Sequence, residues 1–121
     1  MSLGKDEGVA DLPELDLVRV RRWADEQIPD HARDEIRIEV GVRRSFVTIF
    51  ECRPPWYPDE DPEWTKLKTA QLRYDEDLEH WTLYWCDRNG RWHRYWDTEP
   101  TNSVVPLLEE IDEDPTCIFW G

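Results

Sequence analysis

The sequence has few of the features that mark membrane, secreted or metal-dependent proteins. Its 121 residues include only three cysteines, Cys52, Cys86 and Cys117, which are widely spaced and form no Cys-x-x-Cys pair. An odd number of scattered cysteines argues against a disulfide framework and favours reduced thiols. No apolar run approaches the ~20 residues of a membrane-spanning helix, and the N-terminus lacks the apolar segment of a signal peptide. We therefore expect a cytoplasmic protein with no membrane partner.

Basic residues are also scarce. Fifteen lysines and arginines stand against 28 acidic residues, which gives a formal net charge of −13 at pH 7. This balance argues against general nucleic-acid binding, which needs a basic footprint. The sequence contains none of the short motifs of nucleotide-binding loops, α/β-hydrolases or zinc proteases, and its acidic runs lack the spacing of calcium loops. We therefore expect no metal, no cofactor and no nucleic-acid partner.

Aromatic residues, in contrast, are abundant and concentrated between residues 80 and 97, which hold four of the eight tryptophans. Two runs of β-forming residues flank Asn89 and Gly90 in this segment. Asn-Gly favours positive φ at both central positions of a type I′ turn, so the segment predicts a β-hairpin with a two-residue loop. That loop would place Cys86 opposite His93 on the two strands.

Alternation along this hairpin divides its side chains between two faces. One face would carry Trp81, Leu83, Trp85, Asp87, Trp92, Arg94 and Trp96. The other would include Thr82, Tyr84, Cys86, Arg91, His93 and Tyr95. Burying one aromatic side chain removes roughly 150–250 Å² from water, which stabilises the fold by up to about 4–6 kcal/mol. We therefore expect the tryptophan face in the core, with Arg94 over the Trp85 indole, and the other face exposed.

Two segments have the pattern of amphipathic helices. The first begins at a capping-box spacing between Asp11 and Glu14 and should end near Ile28, before a proline. The second is capped by Ser103 and should end at Asp114. Their apolar stripes are expected to consist of Leu17, Val20, Ala24 and Ile28 in the first helix and of Val104, Leu107, Leu108 and Ile111 in the second.

Three further segments are predicted to be strands: Glu35–Val42, Ser45–Arg53 and Lys66–Tyr74. The register of the first pair stays open, because a shift of one residue would replace Val47 and Ile49 in the core by the neighbouring phenylalanines. A four-residue loop after the third strand would place Leu72 opposite Trp81. Between the second and third strands, the segment 53–64 holds four prolines, and we expect a rigid loop whose aromatic residues fold back onto the body.

Together these elements predict an α+β fold. An antiparallel meander of about five strands would have one face covered by an N-terminal and a C-terminal helix. Residues 1–10 show no periodicity and are expected to be disordered, and residues 11–121 suit a single domain. The apolar end, Cys117–Trp120, would form a short strand or plug the core.

Three stretches resemble one protein family. They are Phe50–Trp56 (FECRPPW), Trp81–Tyr95 (WTLYWCDRNGRWHRY) and the terminal Phe119-Trp120-Gly121. They are similar to the small bacterial proteins grouped as domain of unknown function 3024. The resemblance implies a cytoplasmic bacterial domain, and it brings no activity, ligand or catalytic residue with it.

The exposed hairpin face is the best candidate site in the sequence. Its members would be Thr82, Tyr84, Cys86, Arg91, His93 and Tyr95. Aromatic rings beside hydrogen-bonding groups suit a peptide, a sugar face or a partner protein. The leading hypothesis is a non-catalytic module for recognition or self-association, whose partner is a protein, a peptide or a second copy of the chain.

Two other hypotheses stay open. A small hydrolase would use Cys86 with His93 as nucleophile and base, or Glu51 or Asp87 with a histidine. For Glu51, an ion pair with Arg53 on the same strand is a more common role than catalysis. In the third hypothesis the acidic surface mimics nucleic acid and binds a basic protein, which rests on the net charge alone.

Overall fold

Five antiparallel strands lie side by side in the order in which they follow one another along the chain. The computed structural model describes residues 12–56 and 63–120. The strands are β1 (Arg37–Arg43), β2 (Phe46–Arg53), β3 (Thr65–Asp75), β4 (His80–Cys86) and β5 (Trp92–Arg94). The predicted meander is confirmed, because each strand pairs with its sequence neighbour.

Two helices complete the predicted α+β fold, α1 (Glu14–Gln27) and α2 (Val105–Glu113). Helix α1 ends two residues before Pro29, as predicted from the proline, which disfavours helical backbone at the residue before it. Its N-cap is Pro13, which offers no side-chain hydrogen bond, and Asp11 lies outside the described residues. Helix α2 carries its proline in the first turn and ends at Asp114, in agreement with the prediction, but its N-cap is Val104 and not Ser103. Ser103 lies one residue earlier, where its Oγ accepts the backbone N–H of Val105 at 3.2 Å.

The core lies between one face of the sheet and the two helices. Its buried members are Val20, Trp23, Ala24, Val47, Ile49, Ala70, Leu72, Trp81, Leu83, Tyr95, Val104, Leu107, Leu108, Ile111 and Phe119. The predicted apolar stripes therefore face inward, except that Ile28 is the C-cap of α1 and does not belong to the core. The opposite face of the sheet is not covered by either helix.

The first hairpin resolves the register that the sequence leaves open. Val42 pairs with Val47, and a two-residue turn at Arg44 and Ser45 closes the hairpin. Arg44 has φ 55°, a left-handed conformation that tight two-residue turns require. Val47 and Ile49 are fully buried, so the phenylalanines of β2 point to the other face.

The register of the second hairpin differs from the prediction by two residues. Leu72 lies opposite Leu83, and Tyr74 lies opposite Trp81. The reason is the turn, in which the Asp75 carboxylate accepts the backbone N–H groups of Asp77 and Leu78. The loop therefore begins one residue later than predicted. A shift of two residues leaves every side chain on its predicted face.

The register of the central hairpin differs from the prediction by one residue, and this shift changes which face the side chains of β5 occupy. Its loop has three residues rather than two, because Asp87 Oδ1 accepts the backbone N–H groups of Asn89 and Arg91 at 2.8 and 3.0 Å. Gly90 follows in a left-handed conformation with φ 82°. This is the three-residue loop in which a turn is followed by a left-handed glycine. Trp85 consequently pairs with His93.

The one-residue shift turns every side chain of β5 to the other face. Tyr95 becomes a core residue that is 3% exposed, and Trp96, which the sequence places in the core, is 74% exposed. Trp92 is half-buried on the face away from the helices. The guanidinium of Arg94 lies 4.1 Å from the ring centre of Trp96, not over Trp85.

The C-terminal segment plugs the core and forms no strand. Asp114 ends α2 in a left-handed conformation, and its carboxylate accepts the backbone N–H groups of residues 118, 119 and 120 at 2.9–3.0 Å. These three bonds fold the chain back, so that the ring of Phe119 packs against Tyr95 at 5.1 Å between ring centres.

The proline-rich segment 53–64 lies partly outside the described residues. In its described part, Trp56 is 93% exposed, which contradicts the expectation that it folds back. Trp64 lies under the guanidinium of Arg37 at 3.9 Å, so this tryptophan does contact the sheet.

Candidate binding surface

The sheet face away from the helices is the candidate functional surface, and we call it the open face. The pairing registers assign to it Arg37, Glu39, Gly41, Arg43, Phe46, Thr48, Phe50, Cys52, Lys66, Lys68, Gln71, Arg73, Asp75, His80, Thr82, Tyr84, Cys86, Trp92 and Arg94. It receives side chains from all five strands, which together span residues 37–94.

Charge on the open face is opposite in sign to that of the whole chain. Six of its side chains are basic and two, Glu39 and Asp75, are acidic, whereas the whole chain has a net charge of −13. Glu39 pairs with Lys66 at 3.3 Å, and Asp75 accepts hydrogen bonds from its own turn. The fold therefore brings basic side chains together on one surface of an acidic protein.

Arg73 is held rigidly near the middle of this face. Its guanidinium carbon lies 3.8 Å from the ring centre of Tyr84 and 4.5 Å from that of Phe46. Its Nε donates to Gln71 Oε1 at 2.7 Å, and Gln71 Nε2 donates to Thr48 Oγ1 at 2.9 Å. Among the described residues, no hydrogen bond or ion pair engages its terminal nitrogens, so the guanidinium is positioned but can still bind an anion.

A cavity of about 340 Å³, which we call the central cleft, lies next to this arginine on the open face. It is lined by Gly41, Val42, Arg43, Phe46, Thr48, Phe50, Lys68, Gln71 and Trp92. Aromatic rings, two cations and a hydrogen-bonded polar pair thus surround one space. Convergence of apolar walls with a few polar groups is typical of small-ligand sites.

The cations and one ring of the central cleft are available to a ligand. Within residues 12–56 and 63–120, neither Arg43 nor Lys68 forms an ion pair, and no cation or second ring stacks on Trp92. Phe50 lies against the backbone of β1, where a Cβ on Gly41 would come within 3.2 Å of its ring. This wall of the central cleft therefore depends on glycine at position 41, because a side chain there would meet the Phe50 ring.

A second cavity of about 570 Å³, the end cleft, lies where the first two hairpin turns meet the open face. It is lined by Arg44, Ser45, Arg73, Tyr74, Asp75, Glu76, His80, Thr82 and Tyr84. Two carboxylates line this cleft, whereas none lines the central cleft. The central cleft is consequently the better anion site of the two.

The structure keeps some of the predicted site residues together and separates others. Thr82, Tyr84 and Cys86 lie on the open face, as predicted. Arg91 is exposed in the hairpin loop. His93 and Tyr95 lie on the opposite face, because of the one-residue shift in register, and the predicted side-by-side pair Tyr84–Tyr95 does not form.

Tyr95 contributes to the core and not to a binding surface. Its hydroxyl donates to Glu110 Oε2 at 2.7 Å, which joins β5 to α2. Burial, followed by the hydrogen bond to Glu110, raises the pKa of Tyr95 to about 12. The tyrosine is therefore neutral and tied to a helix at physiological pH.

The predicted Cys86–His93 pair is likewise not assembled. Cys86 pairs with Trp92 on the open face, while the His93 ring stacks on Trp85 on the other side. Burial raises the pKa of the Cys86 thiol, so it carries less of the reactive thiolate than a free cysteine.

The other residues named for the hydrolase hypothesis have structural partners. His93 Nε2 and Asp87 Oδ2 are hydrogen-bonded at 2.7 Å, and this bond, with the loop N–H groups, lowers the pKa of Asp87 to about 2. Glu51 forms the expected ion pair with Arg53, at 3.1 Å. These carboxylates hold a hairpin loop and a strand end.

Two further features of the described residues bear on the kind of site. No group of three or more histidine, cysteine, aspartate or glutamate side chains in this part of the chain is arranged to hold a metal ion. Neither of the helices in the described ranges is long and apolar enough to cross a membrane.

Sequence reasoning missed the residues that shape the central cleft, among them Lys68, Gln71 and Trp92. The alternation of Lys66 and Lys68 at the start of β3 does indicate a basic strand face. It does not show that Gln71 shares this face, because β3 bulges opposite Ile49 and Phe50, where Thr69 has no partner. The bulge moves the open-face positions from even to odd numbers, so Lys68 and Gln71 come to share a face.

The fold and the site define an α+β protein whose meander sheet is covered by two helices on one face and carries a basic, aromatic cleft on the other. Residues 9–121 match the family model described as Domain of unknown function (DUF3024), and the chain belongs to this family. The match covers nearly the whole chain and confirms the resemblance seen in the sequence. Comparisons with curated proteins and with solved structures found no match.

Proposed function

We propose that this protein is a non-catalytic recognition module that binds its ligand on the open face of the sheet. The observation that carries the proposal is the central cleft, where Trp92 and two cations without ion-pair partners among the described residues surround the hydrogen-bonded pair Gln71–Thr48. A face built only for solubility would not need such a concave arrangement. Aromatic and arginine side chains are the types that dominate binding energy at recognition surfaces.

Recognition is favoured over hydrolysis because the candidate catalytic groups lie apart. The thiol of Cys86 and the imidazole of His93 are on opposite faces of the sheet. Activation of a cysteine needs a base within hydrogen-bonding reach or a lowered thiol pKa, and Cys86 has a raised one. The cations of the open face can hold a ligand, but they supply no nucleophile.

The test is a binding screen on ¹⁵N-labelled protein, with anionic and neutral small molecules and short acidic peptides as probes. We expect at least one probe to shift amide resonances that cluster around the central cleft. The double variant Arg43→Glu/Lys68→Glu should weaken that binding at least tenfold, which corresponds to about 1.4 kcal/mol. Both residues are exposed, so the variant should fold.

The matched control is Arg21→Glu/Arg22→Glu, which makes the same change of charge at two exposed positions of α1. It should change affinity less than twofold. Equal loss in both variants would mean that the net charge matters and the cleft does not. Resonance shifts that cluster away from the open face, or no binding by any probe, would overturn the proposal.

A further inference from the structure

We propose that the central cleft binds a nucleotide, with the base stacked on Trp92 and the phosphate held by the cations Arg43 and Lys68. This inference rests on the proposed function and adds the chemical class of the ligand. The same chemistry occurs in a free nucleotide and in one unit of a single strand. We commit to the free nucleotide because the net charge of −13 repels a polyanion more strongly than a small anion.

The charge of the cleft favours an anionic ligand. Arg43 and Lys68 line it without ion-pair partners among the described residues, and no carboxylate belongs to its lining. Arg73 lines the neighbouring end cleft, its guanidinium stacks on Phe46 and Tyr84, and no described group hydrogen-bonds to its terminal nitrogens. A neutral ligand would desolvate these cations without replacing their water, whereas a phosphate would form charge-assisted hydrogen bonds with them.

The aromatic wall of the cleft favours a ligand that also has a planar ring. Trp92 is half-buried, and no ring or cation among the described residues stacks on it. Stacking of one base on an aromatic side chain is worth about 1–3 kcal/mol. A purely acidic ligand, such as a glutamate-rich peptide, would use the cations but leave this ring without a partner.

The floor of the cleft can read the edge of a base. Gln71 uses one amide N–H on Thr48 and one lone pair of Oε1 on Arg73. A carboxamide has two N–H donors and two acceptor lone pairs, so one of each has no partner among the described residues, and the 5% of Gln71 that is exposed is what a ligand can contact. The volume of about 340 Å³ is at the lower end of the roughly 300–1,000 Å³ found for small-ligand sites, which suits a single nucleotide.

The experiment titrates ¹⁵N-labelled protein with the four nucleoside monophosphates, and with adenosine, inorganic phosphate, a ten-residue oligo-dA and a hepta-glutamate peptide. The Trp92 indole N–H and the amides of the open face report binding. We expect at least one monophosphate to shift these signals and to bind at least tenfold more tightly than adenosine or phosphate. Lys68→Glu should weaken this binding at least tenfold, and Arg21→Glu less than twofold.

A second variant, Trp92→Phe, keeps a smaller ring and tests stacking separately from charge. It should weaken the monophosphate more than inorganic phosphate. If the oligonucleotide binds more tightly per nucleotide than any monophosphate, with a steep dependence on salt, the nucleotide chemistry stands but the free nucleotide is rejected as its source.

The outcomes separate this inference from the proposed function. Binding of the glutamate peptide on the open face, without binding of any monophosphate, would reject the nucleotide and leave the recognition module in place. No shift on the open face with any probe up to millimolar concentration would overturn both.

Discussion

Asp16 is expected to be the most important polar residue for the stability of this fold. It is 5% exposed, and its carboxylate joins three parts of the structure. Oδ2 accepts the indole N–H of Trp81 at 3.0 Å, and Oδ1 accepts the backbone N–H of Val104 at 3.3 Å. Arg19 on the same helix donates to Oδ1 at 3.5 Å. The carboxylate therefore fastens α1 to β4 and to the residue that caps α2.

The substitution Asp16→Ala would leave two buried donors without an acceptor. Trp81 and Val104 are both fully buried, and an unsatisfied buried donor costs about 1–3 kcal/mol. Removing the carboxylate also ends the penalty of burying its charge, so we expect a net loss of about 2–4 kcal/mol in the free energy of unfolding. For a chain of this size that corresponds to a melting temperature lower by about 10 °C.

The assay is urea unfolding followed by tryptophan fluorescence, with two comparison variants. Asp16→Asn keeps one acceptor oxygen and should lose about half as much. Asp25→Ala removes an exposed carboxylate from the same helix and should cost less than about 0.5 kcal/mol. The reasoning is refuted if Asp16→Ala loses less than about 1 kcal/mol, or no more than Asp25→Ala.

Three further predictions concern the turns and the buried tyrosine. Asp114→Ala should lower the free energy of unfolding in urea by about 2–3 kcal/mol, because three backbone N–H groups lose their acceptor. Asp114→Asn should lower it less, and equal losses in the two variants would contradict this reasoning. Gly90→Ala should cost about 1 kcal/mol at φ 82°, with Gly90→Asn closer to wild type, and no loss for alanine would argue against the left-handed loop. The folded-state pKa of Tyr95 is raised from 10 to about 12, so its stabilising contribution is present below pH 10 and lost as pH rises through 12. Unfolding measured from pH 8 to 12 should show less alkaline loss in Tyr95→Phe, and identical profiles would contradict that assignment.

The class of the fold follows from local patterns. Alternation in β1 and β2 and the helical stripes of α1 and α2 each depend on residues within one element. Burial of one apolar side per element then leaves few arrangements, and the meander with two helices is the simplest. The register of the central hairpin could not be derived in the same way. Asn89-Gly90 suits loops of two and of three residues, and the Asp87 carboxylate favours the longer one.

The candidate site was predictable only in part, for a related reason. Thr82, Tyr84 and Cys86 lie on the strand whose face was assigned correctly. Lys68 reaches the open face through a bulge in β3, and Trp92 reaches it through the longer hairpin loop. Neither irregularity changes the composition of the sequence, yet each reverses which way the following side chains point.

The sequence by itself determined the number, order and type of the elements and the family, because these depend on periodicity and on motifs within short stretches. Only the tertiary structure decided which charges lie together. Net charge is a sum over the chain, whereas binding depends on the charges within a Debye length of about 8 Å. Five antiparallel strands bring six basic side chains onto one face, and most acidic residues in the described part of the chain lie off this face.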